Sequence, residues 1–143
     1  MKLLNHFWNK ISSFILYPLN LFVLKKKIYV VEDNDDIREL VEYLLEIEGY
    51  EVKGFANATK FSQIIVNELP DLVVLDVMLP DGNGVDICNK LKSNPVTKEL
   101  PVLLMSANAN MAFVSKESMA DDFISKPFDI DDLVTRAKKL LLA

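Results

Sequence analysis

Acidic residues follow two of the apolar strands that the sequence predicts. Glu32 and Asp33 come directly after residues 28–31, and Asp76 ends an apolar run over 72–75. In open α/β sheets the carboxyl ends of the parallel strands meet at one edge, where ligands bind. Three neighbouring carboxylates repel one another unless a cation joins them. Such oxygen ligands suit Mg²⁺, which binds through one or two carboxylates and keeps several waters.

Two further polar side chains follow other predicted strands. Ser106 closes the run over 100–105, and Lys126 follows 122–125. A hydroxyl and an ammonium can donate hydrogen bonds to phosphoryl oxygens, and a carboxylate can act as a nucleophile that forms an aspartyl phosphate. Each residue by itself is more often a cap or a turn residue. The acids, Ser106 and Lys126 all occur at the ends of predicted strands, four strands in total. This shared position favours Asp76 as a reactive group whose neighbours bind a phosphoryl group.

Regular alternation of strands and helices positions these residues. The sequence predicts strands at 28–31, 50–55, 71–76, 100–105 and 122–125, and helices at 35–48, 57–68, 85–94, 110–119 and 130–141. Asn34 is the expected cap of the first helix, and Gly49 is its expected end. The apolar stripes of the first and last helices comprise Ile37, Leu40, Val41, Leu44, Ile47, Ile130, Leu133, Val134, Ala137, Leu140 and Leu141. This pattern predicts an α/β fold with a parallel sheet covered on both faces.

Composition excludes several function classes. The 143 residues are half hydrophobic and carry a net charge of −5, which is typical of one globular domain. All 21 acidic residues lie after residue 27, so we expect no nucleic-acid partner. Cys88 is the only cysteine, which excludes an internal disulfide and fits a cytoplasmic location. His6 is the only histidine, so the acidic part holds neither a histidine zinc site nor a Ser-His-Asp triad.

Residues 1–24 form an apolar N-terminal extension that differs from the rest. They contain lysines but no acid, and the uncharged stretch 11–24 is shorter than the roughly 20 residues that cross a bilayer. Pro18 would interrupt a helix, and no small-residue cleavage site follows. Four interpretations stay open: a loosely packed extension, a helix that docks on a partner or a second copy, an interfacial membrane helix, and a membrane span.

Residues 25–143 resemble the receiver domain of bacterial two-component response regulators. The matching stretches are 28–34 (IYVVEDN), 75–84 (LDVMLPDGNG), 104–107 (LMSA) and 121–128 (DDFISKPF), in the order and spacing of that family. The resemblance implies a flavodoxin-like fold with a five-stranded parallel sheet in the order 2-1-3-4-5 and helices on both faces. It implies a signalling switch with only weak self-catalysed phosphoryl transfer and dephosphorylation, rather than an enzyme. Because the last predicted helix reaches the C-terminus, we expect the receiver to be of the stand-alone type.

The resemblance also implies roles for matched positions. Asp76 would be the phosphoacceptor, and Mg²⁺ would be bound by Glu32, Asp33, Asp76 and the backbone carbonyl of Met78. Lys126 and Ser106 would contact the phosphoryl group, and Phe123 would turn inward together with Ser106 as the switch aromatic. Met78 and Asn108 would tune the lifetime of the phosphoryl group. The peptide bond between Lys126 and Pro127 would be cis.

The implied partners are proteins. The phosphoryl donor would be a phosphohistidine of a sensor kinase or a phosphotransfer protein, and a downstream protein target would bind the altered face. A homodimer and membrane contact through residues 1–24 stay open. One alternative is a pseudo-receiver that binds partners without phosphorylation. The other is an aspartate-nucleophile phosphatase of the haloacid-dehalogenase type, which needs a second Asp where Met78 stands.

Overall fold

The computed structural model describes residues 24–143. All interpretations of the apolar extension concern residues outside this range, except for Leu24, which is exposed. Among the described residues, no helix combines the length and the apolar character that crossing a bilayer requires.

Five parallel strands form the central sheet. They are β1 (Lys27–Val31), β2 (Glu51–Phe55), β3 (Leu72–Asp76), β4 (Val102–Ala107) and β5 (Asp122–Lys126). Their order is β2-β1-β3-β4-β5. The helices are α1 (Asp35–Ile47), α2 (Ala58–Ile65), α3 (Gly84–Ser93), α4 (Met111–Glu117) and α5 (Ile130–Leu142), and a 3₁₀ turn at Asn108–Asn110 precedes α4. The predicted α/β fold and strand order are confirmed.

Two apolar cores lie on opposite faces of the sheet. Successive residues of a strand point to opposite faces. Tyr29 therefore belongs to the core that α2, α3 and α4 cover, whereas Ile28 and Val30 belong to the core that α1 and α5 cover. The Tyr29 and Phe55 rings meet edge to face with centroids 5.1 Å apart. All five residues of β3 are buried, including its terminal carboxylate. The end of β3 is therefore enclosed between the two layers.

Local hydrogen bonds define where the helices begin and end. The Asn34 side chain accepts a hydrogen bond from the Ile37 amide (3.0 Å), and Gly49 adopts a positive φ of 95° just after α1. Both residues were predicted as the limits of this helix. The Asp129 carboxylate caps α5 by accepting from the Asp132 amide (3.0 Å).

The structure differs from the predicted pattern at several positions. Leu40, Ile47 and Ile130 are 42%, 61% and 46% exposed although they fall on predicted apolar stripes. Leu40 lies at the margin of its stripe, since its neighbour Val41 is fully buried, whereas Ile47 and Ile130 are end residues of α1 and α5. The predicted strand at 100–105 begins only at Val102, since Pro101 has no N–H to donate to a neighbouring strand.

The helix predicted over 57–68 is shorter, and so is the one predicted over 110–119. Helix α2 ends at Ile65, where the Asn67 amide donates to the Ile64 carbonyl and tightens the last turn. Helix α4 covers only Met111–Glu117, and the Ser118 amide closes its end on the Val114 carbonyl.

The first residue of α3 has no room for a side chain. A Cβ on Gly84 would lie 2.3 Å from the Asp76 carbonyl oxygen and 2.8 Å from the Val77 Cα. We expect Gly84→Ala to lower the free energy of unfolding by about 3 kcal/mol, because the backbone after β3 must move. Urea denaturation measures this change.

Gly82→Ala is the matched control. Its Cβ would lie 3.2 Å from the Ala58 Cβ, a contact that small shifts relieve. We expect a loss below about 1 kcal/mol for this variant. Equal effects of the two substitutions would contradict the close approach at Gly84.

Candidate functional site

The three carboxylates predicted from the strand ends lie together. Glu32 and Asp33 follow β1, and Asp76 ends the adjacent strand β3, so their oxygens come within 4.8 Å of one another. Glu32 is 1% exposed and Asp76 is 5% exposed, whereas Asp33 faces solvent. Two of the three carboxylates are therefore buried, and the cluster reaches solvent at Asp33.

Lys126 supplies the positive charge that faces these carboxylates. It ends β5, and its side chain reaches past β4 so that Nζ pairs with the Glu32 carboxylate and lies 3.2 Å from Asp76 Oδ2. The peptide bond that follows it, to Pro127, is cis as the resemblance implied. One ammonium thus stands against three carboxylates, which leaves the cluster negative.

Glu32 is held by groups from three parts of the chain. Its Oε1 accepts a hydrogen bond from the Asn34 amide (3.1 Å), and Arg38 Nη1 donates to its backbone carbonyl (2.8 Å). Burial raises the pKa of the Glu32 carboxyl, the Asp76 charge adds to this, and the bonds from Lys126 and Asn34 oppose it. Sequence reasoning missed Arg38, since a basic residue one turn into a helix carries no motif signal.

Ser106, Met78 and Phe123 surround the cluster without joining it through their side chains. Ser106 is 1% exposed, and its hydroxyl donates to the Ala107 carbonyl (3.3 Å). The Met78 amide donates to Asp76 Oδ1 (3.3 Å), while its side chain is 69% exposed. Phe123 is half-buried against the core beneath α2, α3 and α4. Asn108 is exposed in the 3₁₀ turn after β4.

A short hairpin follows Asp76 directly; we call residues 77–83 the hairpin loop. Met78 pairs with Asn83 and Leu79 with Gly82 in antiparallel register. At the base, the Gly84 amide donates to the Val77 carbonyl (2.7 Å). At the tip, Asp81 accepts hydrogen bonds from the start of α2. Sequence reasoning missed this contact, because the partners are 22 and 23 residues apart.

The donor set fits a hard divalent cation. Carboxylate oxygens from Glu32, Asp33 and Asp76 are close enough to share one ion. Mg²⁺ prefers oxygen ligands and retains waters, which the exposed side at Asp33 can accommodate.

The family of the chain follows from comparison with known proteins. Residues 28–138 match the model of the response regulator receiver domain. The chain therefore belongs to the response regulator receiver family, as its strand-end motifs predicted.

Individual relatives support this assignment. The phosphate regulon transcriptional regulatory protein PhoB of Pseudomonas aeruginosa is 36% identical over 118 residues, which are 81% of this chain and 52% of PhoB. The DNA-binding dual master transcriptional regulator RpaA of Synechocystis is 33% identical over 117 residues, which are 80% of this chain and 48% of RpaA. The chain spans about half the length of the curated relatives it matches.

A solved structure shows the same fold. The BeF₃-activated receiver domain of DrrB, a Thermotoga maritima protein, superimposes with a TM-score of 0.74 at 33% identity. The match covers 84% of this chain and all of the DrrB domain.

Family membership fixes the general function. Membership of the receiver family supports a role in phosphorylation-dependent signalling. The expectation that no nucleic acid is involved is not supported, since the relative RpaA is described as DNA-binding.

Repulsion among the three carboxylates should lower the free energy of unfolding, which can be measured. We expect Asp33→Asn to raise the free energy of unfolding by about 1 kcal/mol in EDTA, because one of three clustered negative charges disappears. Added Mg²⁺ should stabilise the unmodified chain more than this variant, since ion binding to the folded state raises its stability. Urea denaturation with EDTA and with Mg²⁺ measures both effects.

Asp36→Asn is the matched control for this prediction. Asp36 is an exposed acid in the first turn of α1 and lies outside the cluster. Its loss should be neutral or slightly destabilising, because an acid there favours the helix dipole. A less stable Asp33→Asn variant in EDTA would show that repulsion does not govern the cluster.

Proposed function

We propose that Asp76 is the phosphoacceptor of a Mg²⁺-dependent signalling switch in the cytoplasm. Its phosphoryl donor is a phosphohistidine of a sensor kinase or a phosphotransfer protein. The observation that carries this proposal is the environment of Asp76: a nearly buried carboxylate with Lys126 Nζ at 3.2 Å and two further carboxylates beside it. Phosphoryl transfer needs positioning and charge neutralisation, and this environment supplies both.

The transfer itself is a substitution at phosphorus. An Asp76 carboxylate oxygen attacks the phosphorus of the phosphohistidine, the P–N bond breaks, and the histidine nitrogen keeps the electron pair. Glu32, Asp33 and Asp76 would hold Mg²⁺ together with the Met78 backbone carbonyl. The bound ion supplies positive charge that offsets the phosphoryl oxygens.

Lys126 and Ser106 act on the product. In the structure Lys126 pairs with Glu32 and Asp76. After transfer its ammonium pairs with the phosphoryl group on Asp76. The Ser106 hydroxyl, which now donates to the Ala107 carbonyl, rotates to donate to a phosphoryl oxygen. Ser106 lies on β4 beside β5, which carries Phe123. The register pairs Phe123 with Leu104, so Phe123 and Ser106 lie two positions apart on the same face of the sheet. Movement of Ser106 towards the phosphoryl group then leaves room for Phe123 to move inward.

This movement alters the surface formed by α4, β5 and α5, which binds the downstream protein. Phe113 and Met119 are 62% and 54% exposed there and offer apolar contact area. The target is a separate protein or a further part of a longer protein. Switching consists of presenting or withdrawing this surface.

Met78 argues against the phosphatase alternative. An aspartate-nucleophile phosphatase needs a general acid two residues after its nucleophile. A thioether at that position cannot donate a proton to a leaving group. The pseudo-receiver alternative gains no support either, since all the proposed acids, Ser106 and Lys126 are present.

Acetyl phosphate, a small phosphoryl donor, tests the proposal without the natural kinase. With Mg²⁺ present, we expect intact mass spectrometry to show one added phosphoryl group, and EDTA should prevent it. Asp76→Asn should abolish the modification, because an amide is a poor nucleophile and forms no acyl phosphate.

Asp131→Asn is the matched control. Asp131 is an exposed acid in the first turn of α5, away from the cluster. The Asp131→Asn variant should therefore be phosphorylated to the same extent as the protein without substitutions. Modification that persists in Asp76→Asn would assign the phosphoacceptor to another residue.

A further inference from the structure

The tip of the hairpin loop is bonded to a distant helix. Asp81 Oδ1 accepts from the Ala58 amide (2.8 Å), and Oδ2 accepts from the Thr59 amide (2.9 Å) and the Thr59 hydroxyl (2.5 Å). We call these three hydrogen bonds the Asp81 clamp. Both oxygens of one carboxylate are thus committed to the first turn of α2.

The clamp is separate from the helix's own cap. The Asn57 side chain accepts from the Lys60 amide (2.9 Å), as an N-cap residue does. Asp81 accepts hydrogen bonds from the Ala58 and Thr59 amides, which come just before Lys60. Amides in the first turn of a helix have no acceptor within that helix. The negative charge of Asp81 also faces the positive end of α2. These bonds lower the pKa of the Asp81 carboxyl, so the clamp is charged at neutral pH.

The hairpin loop depends on contacts outside itself. It has only two residues in each strand, and so short a hairpin is not stable alone in water. Its base is fixed by the bond between Gly84 and Val77, and its tip by the Asp81 clamp. Met78 lies between these two fixed points, in the pair with Asn83 nearest the base.

We propose that Asp81 is a positioning residue for the metal site. The Asp81 clamp holds the hairpin loop so that the Met78 backbone carbonyl faces the Mg²⁺ bound by Glu32, Asp33 and Asp76. This inference rests on the proposed function, which makes that carbonyl a metal ligand. Asp81 touches neither the metal nor the phosphoryl group and acts only through Met78.

The test compares Mg²⁺ affinity and stability in the full chain. Isothermal titration calorimetry gives the Kd for MgCl₂, and urea denaturation gives the stability. Asp81→Ala should raise the Kd about tenfold, the size of effect typical of groups that orient a metal ligand. The Kd of Asp81→Asn should lie between those of the parent protein and Asp81→Ala, because the Asn amide oxygen can still accept a hydrogen bond from α2. Thr59→Val should have the smallest effect, since it removes only the hydroxyl.

Asn57→Ala is the matched control. It deletes the other side-chain cap of the same helix end and leaves the hairpin loop untouched. It should lower the stability about as much as Asp81→Ala and leave the Kd for Mg²⁺ unchanged. A purely structural role of Asp81 would affect stability in both variants and Mg²⁺ affinity in neither.

Two outcomes would overturn the inference. One is an unchanged Mg²⁺ affinity in Asp81→Ala, and the other is an equal loss of affinity in Asn57→Ala. Either result leaves the proposed function intact if the unmodified chain binds Mg²⁺ and is phosphorylated at Asp76. An unmodified chain that binds no Mg²⁺ would instead contradict the proposed function itself.

Discussion

Electrostatic repulsion at the carboxyl edge of the sheet is the constraint on which the rest of the site depends. Glu32 and Asp76 are almost fully buried, and Asp33 lies beside them. Buried charges need partners, since desolvation is costly. Lys126 is the partner that the structure provides, and it contacts both buried carboxylates. Three carboxylates and one ammonium leave two negative charges, which one divalent cation would balance.

The order of the strands makes this arrangement achievable. Because β1 and β3 are neighbours, the acids that end them are brought close without any loop reaching across. Lys126 must reach them from β5, past β4, and its long side chain can span that distance. Ser106 is the second-last residue of β4, the strand in between, and is 1% exposed. With a divalent cation bound, the charges of the cluster would balance, and Lys126 and Ser106 could donate hydrogen bonds to the proposed phosphoryl group.

The sequence predicted the parts of the site that depend on short-range patterns. Apolar runs located the strands, and the polar residues after them located Glu32, Asp33, Asp76, Ser106 and Lys126. The parallel arrangement then implied that these residues share an edge. The strand order and the cis peptide bond came from the resemblance to the receiver family, because neither follows from periodicity.

Other features could not be predicted, because they depend on contacts between distant segments. The bonds of Asp81 to Ala58 and Thr59 join a turn to a helix that precedes it by more than 20 residues. Arg38 reaches back to the Glu32 carbonyl through a side chain that periodicity places only on a helix. Leu40 is exposed although its neighbour Val41 is fully buried, and Ile47 is exposed at the last position of α1. The spacing of apolar residues does not encode where along a stripe burial stops.

An NMR titration of the full chain with beryllofluoride, at a constant Mg²⁺ concentration, tests whether the Asp76 carboxylate is the phosphoacceptor. Beryllofluoride mimics a phosphoryl group on a carboxylate. We expect saturable changes in the amide signals of residues 32–33, 76–78, 106–107 and 126, and no change on adding beryllofluoride to Asp76→Asn. Saturable binding that leaves these signals unchanged, or that survives the loss of the Asp76 carboxylate, would contradict this assignment.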